Sequence, residues 1–343
     1  MQVQTTSPHG KAGILIGEHD LIERLRTRAG APPAWVTIGI GDDAAVVEPG
    51  RGELVTITTD SLVDGVHFKR AWTPLASVGH KALAVSLSDL AAMGATPRAS
   101  LLSLALPPDF SLQEFDDLID AFIALGHRAG APLVGGNLTR TPGPLVVDST
   151  AIGSVRPRRV MRRGGGRAGD ELYVTGALGA AAAGLAMLTA SVDRSSLSSD
   201  ERACIEWYER PDARLRCGLV VGRARAAAAC MDLSDGLADA ARQIAAASHT
   251  GVVIAADSVP IHAGAASWAA RTGGDAIALA MAGGEDYELL FAVRPRERRA
   301  FKSATRHCGD LPITLVGRLT DESGAWIERD GKLSPLPPGF SHF

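Results

Sequence analysis

Six acidic residues recur along this 343-residue chain beside glycines or hydroxyl residues. Asp43 lies in "GIGDDAAVV", Asp60 closes "ELVTITTD", and Asp89 sits in "ALAVSLSDLAAMG". Asp232 and Asp235 belong to "MDLSDG", and Glu285 to "GGEDYELL". Carboxylate and hydroxyl oxygens of this kind suit a hard cation. Mg²⁺ commonly takes one or two carboxylates and completes its shell with water and substrate phosphates. A set this large fits several Mg²⁺ ions around a polyphosphate. It does not fit zinc, because His67 and His80 lack paired spacing such as HExxH. The neighbours Asp42 and Asp43 repel each other, so the pair is either solvated at a loop tip or faces a cation.

Local pattern leaves the individual roles open. Thr58, Thr59 and Asp60 place three oxygen-bearing side chains at an expected strand terminus, a position that suits catalytic groups or a turn cap. Asp89 lies off the stripe Leu83, Leu87, Leu90 and Ala91, which allows a solvated face. The opposite face carries Ala82, Val85, Ser86 and Met93, so the helix reads as buried all round. A buried carboxylate needs a cation or several donors. Asp235 either caps the following helix or binds a ligand, whereas Asp232 at a strand end is harder to read as a cap. "GGN", with Gly136 and Asn137, reads as a glycine turn, as does the segment carrying Glu285 and Asp286.

The elements that must position these groups alternate. Residues 1–16 read as a flexible lead-in. "EHDLIERLRTRA" predicts an amphipathic helix; "DAAVVE", "ELVTITTD" and "PLVVDSTAIGSV" predict strands. "ASVGHKALAVSLSDLAAMG" and "LQEFDDLIDAFIALGHRAG" predict helices between them. Arg, Gly and Pro gather between Arg156 and Gly169, which places a domain boundary there, with domains 17–156 and 157–343. The second half predicts strands "ELYVTG", "ACMDL", "GVVIAA" and "YELLFAV" and helices "ALGAAAAGLAML", "GLADAARQIAAAS" and "DAIALAMAG". The fold class is therefore a two-domain α+β or α/β protein.

Composition narrows the function classes. A net charge of −3 argues against a nucleic-acid partner, and "RPRRVMRR" reads as a solvated linker. No segment predicts a membrane span or an apolar leader, and four scattered cysteines without CxxC fit a reducing compartment, so the expectation is a cytoplasmic protein. GxxxxGK[ST] is absent, and no GxGxxG opens a helix. A kinase built on either loop is disfavoured. Nucleotide phosphates would then rely on aspartate-held magnesium, glycine amides and arginines.

Seven segments in order carry a resemblance: "GIGDDAAVV", "TTDSLVDGVHF", "GHKALAVSLSDLAAMGATP", "GGNLTR", "RRGGGRAGDELYVTGALG", "MDLSDGL" and "GGEDYELLF". From Gly17 to Phe343 the chain resembles the thiamine-monophosphate kinase family, within the aminoimidazole-ribonucleotide synthetase-like superfamily. The resemblance implies an N-terminal dimerisation domain, a C-terminal α/β domain, and ATP-dependent conversion of thiamine monophosphate to thiamine diphosphate. It implies metal ligands at Asp43, Thr58, Thr59, Asp60, Asp89, Asp232 and Asp235, with Asp60 and Asp232 acting through metal. It implies Ser234, Gly136, Asn137 and Arg163 at ATP, and His67, Glu285 and Phe340 at the thiamine substrate. Two residues depart from the pattern: Asn137 stands for an aspartate that ligates metal in the family, and Ser86 for an asparagine. The tail "GFSHF" keeps Phe340 and His342 but lacks the family's aspartate. The first departure admits a low-turnover binding paralogue; a sister-branch synthetase is the other alternative.

Overall fold

The structure, a computed structural model, describes residues 17–40 and 44–339. The chain divides into two compact units. One comprises the residues up to Leu87 together with Pro97–Ser154; the other comprises Ser88–Thr96 and the residues from Val155 onward.

In chain order the first part contains α1 (Glu18–Ala29), β1 (Val36–Ile38), β2 (Val46–Val47), β3 (Leu54–Val63), α2 (Leu75–Ala92), β4 (Thr96–Leu106), α3 (Leu112–Ala129), β5 (Leu133–Arg140) and β6 (Val146–Val155). A four-stranded sheet runs in the order β3-β6-β4-β5. The parallel pair β4/β5 sets Leu102 beside Gly136 and Ser103 beside Asn137. Helix α3 starts on a capping box: the Glu114 amide donates to Ser111 Oγ and the Ser111 amide to Glu114 Oε2. Its apolar side, including Phe115, Leu118, Ile119 and Phe122, is buried. Helix α2 is buried nearly all round from Leu83 to Leu90, with Asp89 only half-buried. An α-helix without a polar face has to lie inside a protein, as its sequence predicts.

The remainder contains β7 (Glu171–Thr175), α4 (Ala180–Thr189), α5 (Ser199–Glu209), α6 (Leu215–Ala224), β8 (Ala229–Asp232), α7 (Leu237–Ala247), β9 (Gly251–Ala255), α8 (Ala263–Thr272), α9 (Ala276–Ala282), β10 (Leu289–Val293), α10 (Arg298–Thr305), β11 (Ile313–Thr320), β12 (Ala325–Arg329) and β13 (Lys332–Pro335). Seven strands form one mixed sheet in the order β13-β12-β9-β11-β7-β10-β8. Strands β7 and β10 and the edge strand β8 are buried almost throughout, so they read as unbroken apolar runs rather than alternating ones. Leu172, Val174, Met231, Leu237, Ile244 and Leu290 belong to the core on one side. Antiparallel β8 and β10 pair Asp232 with Leu289. The exit of "MDLSDG" and the entry of "GGEDYELL" therefore meet at one end of the sheet.

Three expectations need correction. Asp60 does not end its strand, because β3 continues to Val63. Gly136 and Asn137 lie inside β5 rather than on a turn. The "DAAVVE" strand contracts to Val46–Val47. Strand β4 was not expected: Pro97 and Arg98 at its start mask the alternation that follows. Among the described residues no helix is long and apolar enough to cross a membrane.

Candidate functional site

Strand geometry sorts the first group of residues. Side chains alternate along a strand, so Thr58 and Asp60 share one face of β3 while Thr59 and Ser61 share the other. Asp60 is half-buried and accepts a 2.7 Å hydrogen bond from Ser86 on α2. That hydroxyl is also 3.2 Å from both the Ser149 carbonyl and its hydroxyl oxygen. On the other face Thr59 Oγ1 lies 3.1 Å from the Ser149 carbonyl and 3.1 Å from Thr150 Oγ1, and Ser61 donates to Asp148. Thr59 and Asp60 thus do not present their side chains together, although three consecutive oxygen donors suggest it. His67 turns back on its own loop, where its Nδ1 accepts the Val63 amide at 3.1 Å.

Gly136 lies opposite Leu102, where a Cβ would stand 1.8 Å from the Leu102 carbonyl. No side chain fits at that position. It leaves Gly136 and Asn137 exposed on β5. Both line a cavity of about 1060 Å³ on the first unit, along with Asp148, Thr150 and the apolar Ile57 and Ile152. Asp148 is an addition that sequence reading missed. Its place on β6 follows from the strand, but nothing in "PLVVDSTAIGSV" ties it to Ser61 on another strand.

The second unit collects the remaining candidates. Asp232, 4% exposed, accepts 2.8 Å from Ser88 Oγ. Ser234 and Asp235 are half-buried, and Ser234 Oγ lies 3.4 Å from Asp235 Oδ2. Asp235 does not cap α7, whose N-cap is Gly236. The Glu285 amide donates to the Ser234 carbonyl at 2.7 Å, and the Tyr287 amide to the Leu233 carbonyl at 3.0 Å. Close approach is possible because residue 284 is glycine; a Cβ there would stand 2.4 Å from Ser234 O. Glu285 and Tyr287 both have left-handed backbones, at φ 68° and 49°. Each such residue costs on the order of 1–3 kcal/mol and persists only where its surroundings enforce it. Arg163 is exposed and donates to Gln243 Oε1 at 2.5 Å, while Gln243 in turn donates to Asp239.

The three acids of "GEDYE" have different surroundings. Glu285 is half-buried. Asp286, 1% exposed, accepts the amides of Gly179 at 2.6 Å and Ala181 at 3.1 Å. Burial pushes its carboxyl up to about 7, against the pull of those amides. Glu288, also 1% exposed, accepts both arms of Arg214 at 2.7 and 2.5 Å and Thr175 Oγ1 at 2.5 Å. Burial works against the Arg214 charge, but its bonds to Glu288 outweigh it and hold its pKa above the usual arginine value.

The donors named here are carboxylate, amide and hydroxyl oxygens, the chemistry that a hard cation selects. Among the described residues no three carboxylate, imidazole or thiol groups gather closely enough to close a metal site by themselves. A cation on such donors depends on water and on oxygens brought by a ligand, the ordinary state of Mg²⁺. Asp43 and Phe340 lie outside the described residues.

Residues 41–155 match the family model "AIR synthase related protein, N-terminal domain", and residues 167–327 match its C-terminal counterpart. The thiamine-monophosphate kinase of Salmonella typhimurium is 36% identical over 329 residues, covering 95% of this chain and 98% of that protein. The crystal structure of thiamine-monophosphate kinase from Stenotrophomonas maltophilia K279a superposes with a TM-score of 0.81 at 36% identity, covering 93% of this chain and 98% of that one. The structure of AaThiL complexed with AMPPCP and TMP superposes at 0.76 and 31% identity, covering 95% and 97%.

Proposed function

The chain belongs to the thiamine-monophosphate kinase family of AIR synthase related proteins, and on that premise we propose that it phosphorylates thiamine monophosphate with ATP to give thiamine diphosphate and ADP. The observation that carries this reading is the chain's likeness over nearly its whole length to a protein solved with an ATP analogue and TMP. The acidic oxygen donors of "TTD", "SLSD" and "MDLSD" support it, since two phosphates must be brought together.

Asp43, Thr58, Thr59, Asp60, Asp89, Asp232 and Asp235 are the residues that would hold magnesium. Bound magnesium would screen the repulsion between the two phosphates. Ser86 and Ser88 orient the Asp60 and Asp232 carboxylates through hydrogen bonds of 2.7 and 2.8 Å. Gly136, Asn137, Arg163 and Ser234 serve ATP; His67, Glu285 and Phe340 serve the thiamine substrate. The nucleophile is a phosphate oxygen, already anionic near neutral pH, so no general base is assigned. Transfer is direct and in line, and the chain's part is orientation and charge.

We infer a homodimer through the first unit. Val55 and Ile57 share one face of β3 and are 53% and 67% exposed, an unusual apolar load for a free sheet face. The test of function is a reaction with ATP, Mg²⁺ and thiamine monophosphate, followed by chromatography. Thiamine diphosphate and ADP in equal amounts, with free thiamine untouched, are expected. ATP binding without product would instead favour a binding paralogue.

A further inference from the structure

The loop 283–288 is fastened at more points than a connection between a helix and a strand requires. The Glu285 and Tyr287 amides are bonded to Ser234 and Leu233. Between them the Asp286 side chain turns inward, to the start of α4. That helix has no side-chain cap of its own, since its N-cap is Gly179. Asp286 supplies one from a distant part of the chain, accepting the Gly179 and Ala181 amides. The Asp286 carbonyl is bonded as well, by Trp207 Nε1 of α5 at 3.0 Å. Trp207 is itself held beneath the Arg214 guanidinium, 4.7 Å from its ring centre.

These tethers act on a residue flanked by two left-handed neighbours, Glu285 and Tyr287. Without the inward pull of residue 286, both could relax to the ordinary right-handed or extended backbone. The direction of the Glu285 side chain would then change. We propose that Asp286 is a positioning residue for the substrate: seated on the first amides of α4, it holds Glu285 in the conformation that meets thiamine monophosphate. This rests on the function proposed above. Asp286 itself touches no substrate, being 1% exposed with both carboxylate oxygens bonded to backbone.

A helix cap alone would contribute to stability and nothing else. The decisive comparison is therefore steady-state kinetics and thermal melting of Asp286→Asn beside Ser198→Ala. Ser198 caps α5 through the Glu201 amide and is not part of the loop. Asp286→Asn should raise KM for thiamine monophosphate about tenfold, with KM for ATP within about twofold. Ser198→Ala should lower the melting temperature and leave both KM values in place. Should Asp286→Asn not fold, Trp207→Phe decides, because it removes the carbonyl tether and keeps a ring under Arg214; about a threefold rise in the same KM is expected. An unmoved KM for thiamine monophosphate, or an equal rise in both KM values, overturns the positioning role while wild-type turnover leaves the function standing. Wild-type protein that makes no thiamine diphosphate overturns both.

Discussion

Ser86 Oγ donates to Asp60 Oδ2 at 2.7 Å and sits 3.2 Å from two oxygens of Ser149. Helix α2 thus delivers a buried hydroxyl to a strand carboxylate. Ser86 stands where the family pattern has asparagine, and its short side chain still supplies the donor. Ser86→Ala should cost about 0.5–1.5 kcal/mol, the usual net worth of one hydrogen bond to a half-buried acceptor. Urea unfolding curves read this directly; an unchanged midpoint would show that water replaces the hydroxyl.

Asp60→Asn and Asp232→Asn should each reduce turnover by two to three decades, about 3–4 kcal/mol of lost charge stabilisation. Melting temperatures should change little by comparison. Initial rates at limiting Mg²⁺ provide the check. Near-wild-type rates in both variants would reduce these aspartates to structural acceptors for Ser86 and Ser88.

Asn137 is exposed on β5, at the rim of the cavity that Asp148 also lines. Restoring the family's carboxylate by Asn137→Asp should lower the Mg²⁺ concentration for half-maximal rate about tenfold, as one added charge-assisted contact allows. Titrating rate against Mg²⁺ in both proteins tests it. Superimposable curves would remove this position from metal binding.

Glu114 links the start of α3 to Arg70 at 3.0 Å. Burial pushes its carboxyl upward, yet the Ser111 amide and hydroxyl together with Arg70 bring it down to about 2 from an ordinary value of 4.5. A depressed folded-state pKa means the stabilisation is complete above about pH 4.5 and disappears as pH falls towards about 2. Glu114→Gln should therefore be less stable than wild type at pH 6, with the gap narrower at pH 3. Denaturant midpoints at the two pH values measure the difference, and a constant gap would rule out ionisation as its source.

Ile57 is 67% exposed on the open face of β3. Ile57→Asp should convert a dimer into a species with the mass of one chain by light scattering at micromolar concentration. The charge would have to be buried unpaired in the interface. A wild-type protein already of single-chain mass would place the apolar face outside any dimer contact.

The sequence by itself determined the elements and the family, and named the candidate groups. Alternating strand and helix patterns, the buried character of α2 and the acidic residues beside glycines were legible because they depend on local periodicity and residue type. So was the family, since seven short segments occur in order. Tertiary structure decided which of these groups meet. Asp60 and Ser86 are 26 residues apart, Ser88 and Asp232 are 144 apart, and Asp286 reaches Gly179 across 107. No local pattern encodes such pairings. The same is true of "GGN", which reads as a turn by composition and becomes part of β5 because the parallel neighbour β4 takes up its backbone hydrogen bonds. It is true again of "GEDYE", where three carboxylates alike in sequence are sorted by their surroundings: Asp286 meets the α4 terminus, Glu288 meets the half-buried Arg214, and Glu285 stays half-buried on the loop.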